Sequence, residues 1–333
     1  MEPRLHDPKF ERAAREEIER YQTTRVSALV AETWRRNAFY RDHWTAMGAQ
    51  ARDIRTLADF ASSVPIVRKA DFVADQAGAP PYGKRLAAVT AGAEPFLVFN
   101  TSGTSGQGVE LHAATYAERR RAFSVSAYFY RWAGLVPGDR VFLCYPVSML
   151  GGGRIEIYGL EDYGLTVFPV ATYDVGRKLE LMEKFKPHAI MATTSYIGHM
   201  AAVGLERGSL QAVKALMGGG EGAGYSWFEQ QERLWQAPFF NHYGATQTRV
   251  DHMYPCEHGI GTRERPGLMH NIEPGFLIEV IDPATGRHVG DGEHGEIVVT
   301  SLIHDTFPLI RYAMGDAGIY HDARYCPCGR PFA

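Results

Sequence analysis

Cysteine is scarce in this sequence, four in 333 residues. That is too few for a disulfide scaffold at this length, so the thiols read as reduced or as metal ligands. No apolar run approaches the roughly 20 residues that span a bilayer, and no membrane partner is expected. The first residues, Met1-Glu2-Pro3-Arg4, lack a signal-peptide core and lead into a charged helical segment, so the expected location is cytoplasmic. Charge of one sign is lacking too: 35 Lys and Arg against 38 Asp and Glu leave −3, which gives no electrostatic case for nucleic acid. Arg119-Arg120-Arg121 is the one tight basic run, and a solvated helix face accounts for it. There is no internal repeat and no low-complexity tract. What is present, 45% hydrophobic and 22% charged residues, is ordinary globular composition. The length suits one large domain with sub-lobes, or two domains.

Residues 8 to 40 carry apolar positions at intervals of three and four (Ile18, Tyr21, Val26, Leu29, Val30, Trp34, Phe39), which predicts one or two amphipathic helices. Further helix starts are read at Thr56 to Phe60 and after Val64-Pro65, with a connector from Gly83 to Gly92. From Phe96 onward apolar runs predicted as strands (96–99, 140–145, 165–170, 189–192, 213–217 and 239–244) alternate with helical segments (116–133, after 151, 178–186, 196–207 and 227–235). This alternation means an α/β fold with a substantially parallel sheet. Beyond Thr246 the texture changes, and Phe276–Asp282, a Pro-Ala-Thr-Gly turn and Gly295–Thr300 read as a β-hairpin-rich section. The expected organisation is a helical region at 1–90, an α/β core at 91–250 and a β-rich section at 251–333.

Asn100-Thr101-Ser102-Gly103-Thr104-Ser105-Gly106-Gln107-Gly108 follows the first of these strands, and a helix is predicted to follow it. Its backbone N–H groups and the hydroxyls of Thr101, Ser102, Thr104 and Ser105 suit a single oxyanion cluster such as a phosphate. The spacing Gly103-x-x-x-x-Gly108 looks like a Walker A loop, but Val109-Glu110 stand where Lys-Ser/Thr should be, which disfavours a P-loop NTPase. Two more polar or glycine-rich loops, near 218–222 and 243–247, also follow predicted strands. Ligands of parallel α/β sheets bind outside the carboxyl ends of strands, so three such loops favour a nucleotide-sized ligand.

Thr101-Ser102-Gly103-Thr104-Ser105-Gly106, Asn241-His242-Tyr243-Gly244-Ala245-Thr246 and Arg311-Tyr312-Ala313-Met314-Gly315-Asp316 resemble, in order, three core motifs of adenylate-forming enzymes. The phenylacetate–CoA ligase branch is the most similar, through Asn37-Ala38-Phe39-Tyr40-Arg41, Cys256-Glu257-His258 and Cys326-Pro327-Cys328-Gly329-Arg330. The resemblance implies the large N-terminal domain of such an enzyme: mixed and parallel sheets flanked by helices, plus a β-rich C-terminal section. It implies ATP, Mg²⁺ and CoA as cofactors, with a small carboxylic acid and CoA as partners; the oligomeric state stays open, with a homodimer as one candidate. In this reading the 101–106 loop holds the ATP phosphates, Gly220 and Glu221 border the adenine, and Tyr243 stacks on it. Asn241, His242, Gly244 and Ala245 complete that motif, Thr246 contacts the α-phosphate and Asp316 accepts from the ribose hydroxyls. The acid would lie among Tyr145, Ser148, Met149, Gly151, Gly152, Gly153, Thr194, Ser195, Tyr196, His199 and Gly219. Aromatics and glycines there fit a flat aryl acid. Arg154 and Glu156 stand where apolar residues are expected; either they meet a polar substituent or they face solvent.

Two departures qualify the resemblance. The family places Glu directly after the Thr or Ser of the 243–246 motif, where it helps bind Mg²⁺; here Gln247 stands there, with a carbonyl oxygen but no charge. The family's small C-terminal lid, with its lysine, is not in this sequence, so a truncated chain is expected and nucleotide binding is a firmer expectation than turnover. Cys256, His258, Cys326 and Cys328 form a candidate structural Zn²⁺ site, with His270 as the alternative fourth ligand. Cys144, in an apolar run, reads as a core residue. Three functions stay open: an acid–CoA ligase, an acyl-adenylate synthetase serving an amine or carrier protein, and a non-catalytic nucleotide-binding homologue.

Overall fold

The computed structural model describes residues 3–50, 54–86, 96–101, 106 and 108–333. The N-terminal helices are α1 (Pro8–Glu11), α2 (Arg15–Arg36), α3 (Ala38–Ala46), α4 (Leu57–Ser63) and α5 (Lys69–Gly78). A hairpin follows, β1 (Phe96–Asn100) and β2 (Leu111–Thr115), then α6 (Tyr116–Trp132). The middle of the chain alternates: β3 (Arg140–Leu143), α7 (Gly151–Asp162), β4 (Thr166–Pro169), α8 (Val175–Phe185), β5 (Ala189–Thr193), α9 (Thr194–Arg207), β6 (Ala215–Gly219), α10 (Tyr225–Trp235) and β7 (Phe239–Ala245). The remainder is strands: β8 (Val250–Tyr254), β9 (His270–Asn271), β10 (Phe276–Ile281), β11 (His294–Ser301) and β12 (Tyr312–Ile319). Among the described residues no helix is long and apolar enough to cross a membrane.

The chain divides into two compact units. The first comprises residues 1–8, 122–246 and 250–270; the second comprises 9–121, 247–249 and 271–333. A seven-stranded sheet in the order β4-β3-β5-β6-β7-β8-β9 is the frame of the first unit. Its β4, β3, β5, β6 and β7 run parallel, and β8 returns antiparallel to β7. Strand alternation sends Phe142, Ile190, Leu216 and Phe239 to one face, where they pack with Leu179, Met182, Ile197, Met200, Phe228 and Trp235 of α8, α9 and α10. Cys144 packs, half-buried, against the same cluster. Three positions along from Phe239, His242 points to the opposite face, against Phe129 of α6, whose ring stacks on Tyr254 at 4.6 Å.

The second unit carries the N-terminal helices, the β1–β2 hairpin and a three-stranded antiparallel sheet, β10-β11-β12. Thr56 starts α4 through a capping box with Asp59, each accepting a backbone N–H of the other. At the start of β12, Arg311 has its guanidinium buried, forked onto Glu279 of β10 (Nε–Oε2 and Nη2–Oε1 both 2.9 Å) and donating to the carbonyls of Ala61 and Val64.

Two expectations needed correcting. The segment after 108 is a strand before it is a helix: Phe96 to Asn100 pair with Thr115 to Leu111 in a two-stranded antiparallel sheet separate from the parallel one. The 243–245 stretch, expected as loop, extends strand β7, because β8 pairs back onto it.

Candidate active site

In the first unit parallel register brings the ends of β5, β6 and β7 level, pairing Ala192 with Gly218, Thr193 with Gly219, and Gly219 with His242. Thr194, the first residue of α9, is buried, and its hydroxyl lies 2.9 Å from Asn241 Oδ1 and 3.0 Å from the Glu221 carbonyl. The Ser195 hydroxyl donates to Glu221 Oε1 at 2.9 Å. Gly219 is small of necessity, since a Cβ there would run into the ring of His242. A cavity of about 460 Å³ opens beside these residues, lined by Thr194, Ser195, Glu221, Gly222, Trp227 and Gln231 among others.

Along the same edge the Tyr145 hydroxyl donates to the Ala192 carbonyl at 2.7 Å. Thr246 Oγ1 accepts the Gly151 N–H at 3.3 Å, so the first turn of α7, Gly151-Gly152-Gly153, aims backbone donors and the positive end of the helix dipole at Thr246. Glu156, one turn further along α7, does not face solvent. It is 2% exposed, takes a hydrogen bond from the Tyr130 hydroxyl at 3.0 Å and is hydrogen-bonded to Asp251. Asp251 Oδ2 in turn lies 2.9 Å from His242 Nε2. Burial and the neighbouring Asp251 push the Glu156 carboxyl well above its usual range. Burial also acts on Asp251 in that direction, but His242 outweighs it and holds Asp251 below its usual range.

In the second unit Thr101 and Gly106 are described, while Ser102, Gly103, Thr104 and Ser105 lie outside the described residues. Thr101 closes the mouth of the hairpin: its N–H donates to the Glu110 carbonyl at 3.1 Å and its Oγ1 accepts the Glu110 N–H at 3.1 Å. The Glu110 carboxylate is fully buried, taking the Gln247 amide (Nε2–Oε2, 3.1 Å) and the Tyr312 hydroxyl (2.7 Å to Oε1). His112 Nε2 lies 3.8 Å from Oε2. Burial pushes the Glu110 carboxyl up, but His112, Tyr312 and Arg85 outweigh it and hold it below its usual range. Asp316 sits on β12 where Val298 faces Ala313 and Glu296 faces Ala317, so Met314, Gly315 and Asp316 bulge opposite Ile297. Gly315 takes φ +78°, and Asp316 is exposed.

A family model for AMP-binding enzymes matches residues 17–302. The chain belongs to the AMP-binding enzyme family. Phenylacetate-coenzyme A ligase of Thermus thermophilus is 30% identical over 98% of this chain and 71% of its own length. The enzyme of the same name from Aromatoleum evansii is 27% identical over 92% and 67%. Among solved structures, an open conformation of 2-hydroxyisobutyryl-CoA ligase in complex with 2-HIB-AMP and CoA superposes with a TM-score of 0.89. It is 25% identical and covers 99% of this chain and 76% of that one.

Within this AMP-binding fold, the residues expected from sequence separate into groups. Tyr145, Gly151, Gly152, Thr194, Ser195, Gly219, Gly220, Glu221, Asn241, His242, Tyr243, Gly244, Ala245 and Thr246 lie at or next to the strand ends of the first unit. Ser148 and Met149 are exposed on the segment before α7. Tyr196 belongs to a different hub, accepting from the buried Lys178 ammonium at 2.7 Å, and His199 is exposed. Of the two histidines left open as metal ligands, His270 is the buried one and has a ring nitrogen within 4.8 Å of the Cys256 sulfur, while His258 is exposed. In the second unit the Cys326 and Cys328 sulfurs likewise lie within 4.8 Å of each other. Sequence reading missed Glu110, Asp251 and Tyr130. Glu110 did carry a signal, an acidic residue two positions after Gly108 where a Walker A loop would have Ser or Thr; Asp251 and Tyr130 carried none.

Proposed function

We propose that this chain activates an aromatic carboxylic acid with ATP and passes the acyl group to CoA. The observation that carries the reading is the convergence of Tyr145, Gly151, Thr194, Glu221, Asn241 and Thr246 at the carboxyl edge of one parallel sheet, in a family that binds AMP. In the first step an acid oxygen attacks the α-phosphorus, the bond to the β-phosphate oxygen breaks, and pyrophosphate leaves. In the second the CoA sulfur attacks the acyl carbon, the bond to AMP breaks, and the thiol proton is lost to solvent. Neither step needs a protein nucleophile. The work is positioning and charge stabilisation, with the 101–106 loop on the phosphates, Thr246 and the α7 N-terminus at the α-phosphate, Tyr243 and Glu221 at the adenine, and Asp316 at the ribose.

The name shared by the relatives, phenylacetate-coenzyme A ligase, supports an aryl acid. The buried Glu156–Asp251 pair, beside Tyr145, favours one bearing a hydrogen-bonding substituent. When bound, Mg²⁺ neutralises phosphate charge, and the Gln247 carbonyl oxygen is a donor of the type it takes. Cys256 and His270 in the first unit, and Cys326 and Cys328 in the second, are ligand types that suit structural Zn²⁺. Less than about a tenth of an equivalent of zinc per purified chain would remove that part of the reading. The main test is acid-dependent exchange of labelled pyrophosphate into ATP, followed by CoA-dependent thioester formation. Exchange with amino- or hydroxy-substituted aryl acids and thioester only with CoA are expected; no exchange with any aryl acid overturns the activation step.

A further inference from the structure

Gln247, where the family's motif carries Glu, is hydrogen-bonded to the buried carboxylate of Glu110. A carboxylate only accepts, so the Gln247 group 3.1 Å from Glu110 Oε2 is the NH₂ end of the amide. The amide is also hydrogen-bonded to Tyr312, so its nitrogen branch is the one engaged by Glu110 and its carbonyl oxygen is the other branch of the group. The second carboxylate oxygen is taken by the Tyr312 hydroxyl. Behind it the Arg85 guanidinium lies 3.4 Å from the Phe72 ring centroid and 4.1 Å from that of Phe307, fully buried, with Glu110 among the acids that offset its charge.

We propose that Glu110 is a positioning residue for Gln247: it grips the amide by its nitrogen, fixes the carbonyl oxygen as the other branch, and supplies from a buried position the negative charge that residue 247 lacks. Positions 110 and 247 form a charge-exchanged pair that carries one carboxylate between them. A glutamate at 247 would set a second carboxylate about 3 Å from the first, where two like charges cannot both stay ionised. Gln247 is thus matched to Glu110, and Gln247→Glu alone does not improve the site. That the carbonyl oxygen serves Mg²⁺ rests on the adenylate-forming reading; the pairing itself does not.

The test is a double-mutant cycle of Glu110→Gln, Gln247→Glu and the exchanged double variant, read two ways on the full chain. The first readout is the melting temperature without nucleotide or metal. Each single variant is expected to melt at least about 4 °C lower, and the double variant to recover most of the loss. The second is the Mg²⁺ concentration that half-saturates ATP binding, measured calorimetrically: it should rise about tenfold in Glu110→Gln, by the loss of one oriented charge-assisted contact, and return in the double variant. A Gln247→Glu protein as stable as wild type, or losses that simply add in the double variant, overturns the pairing. ATP binding by the wild type that is indifferent to Mg²⁺ overturns the orientation claim together with the adenylating reading, while the melting cycle still decides the pair by itself. Should a single variant fail to fold, a folded double variant supports the proposal and an unfolded one contradicts it.

Discussion

In the first unit, register does the positioning. Parallel strands end level, so Gly219 and His242 are neighbours because β6 and β7 pair, and Thr194 meets Asn241 because α9 begins where β5 stops. In the second unit the strands are antiparallel, and the candidate residues sit at irregularities: the hairpin mouth closed by Thr101 and Glu110, and the bulge that exposes Asp316. A parallel sheet offers a row of strand ends at one edge, whereas an antiparallel sheet has to interrupt its ladder to present a side chain. The contrast runs through a single motif, Arg311 to Asp316. Its first residue is buried in structural ion pairing and its last is exposed.

The largest effect that sharpens this contrast is at Arg311. Arg311→Ala leaves Glu279 buried without its partner and frees two carbonyls, and should cost about 3–5 kcal/mol in urea unfolding, concentrated in the second unit. Acid comes next. Burial brings His112 in the second unit and His252 in the first down to about 4. Their folded-state values lie below the unfolded 6.5, so the unfolded chain takes up the protons first. Stability from both is intact above about pH 6.5 and is lost as pH falls toward 4, about 2 kcal/mol per histidine between pH 7 and 5. A melting curve flat across that range would contradict their burial as neutral rings.

Gly244→Ala follows. Its Cβ would meet the Asp251 backbone Cα at 2.5 Å, a contact no rotamer relieves. A loss of about 1–3 kcal/mol is expected, with nucleotide affinity falling at least tenfold because Tyr243 and Ala245 shift with it. Asp316→Asn should be the mildest for folding, within about 0.5 kcal/mol because the residue is exposed, yet it should weaken AMP about tenfold by halving the acceptors offered to a diol. A stability loss at Asp316 as large as that at Arg311 would erase the division within the motif.

Periodicity and capping made most of the fold legible. The strand–helix alternation from 140 to 244 maps onto β3 through β7, and Thr56 with Asp59 marked the start of α4. Strand β2 was hidden because Leu-His-Ala-Ala-Thr has little strand character of its own, and pairing with β1 decides it. Strand β12 was hidden for the same reason, with two glycines and an aspartate inside it. Three motifs in order pointed to a nucleotide site, and the structure places 241–245 on β7 and 312–316 on β12. The site was illegible where partners are distant in sequence: nothing in the spacing joins Glu110 to Gln247, 137 residues apart, or Glu156 to Asp251. Cys256-x-His258 pointed to the adjacent histidine, but the chain leaves Cys256 through an exposed turn and brings His270 back beside it on β9.

Under the proposed function this chain holds a nucleotide and an acid together as a mixed anhydride. Calorimetric titration with AMP and with a non-hydrolysable aryl-acyl-adenylate analogue tests it directly, because the analogue joins both halves in one molecule. The analogue is expected to bind at least about 100-fold more tightly than AMP, and Gly219→Val to abolish this gain. Equal affinity for AMP and the analogue would contradict it.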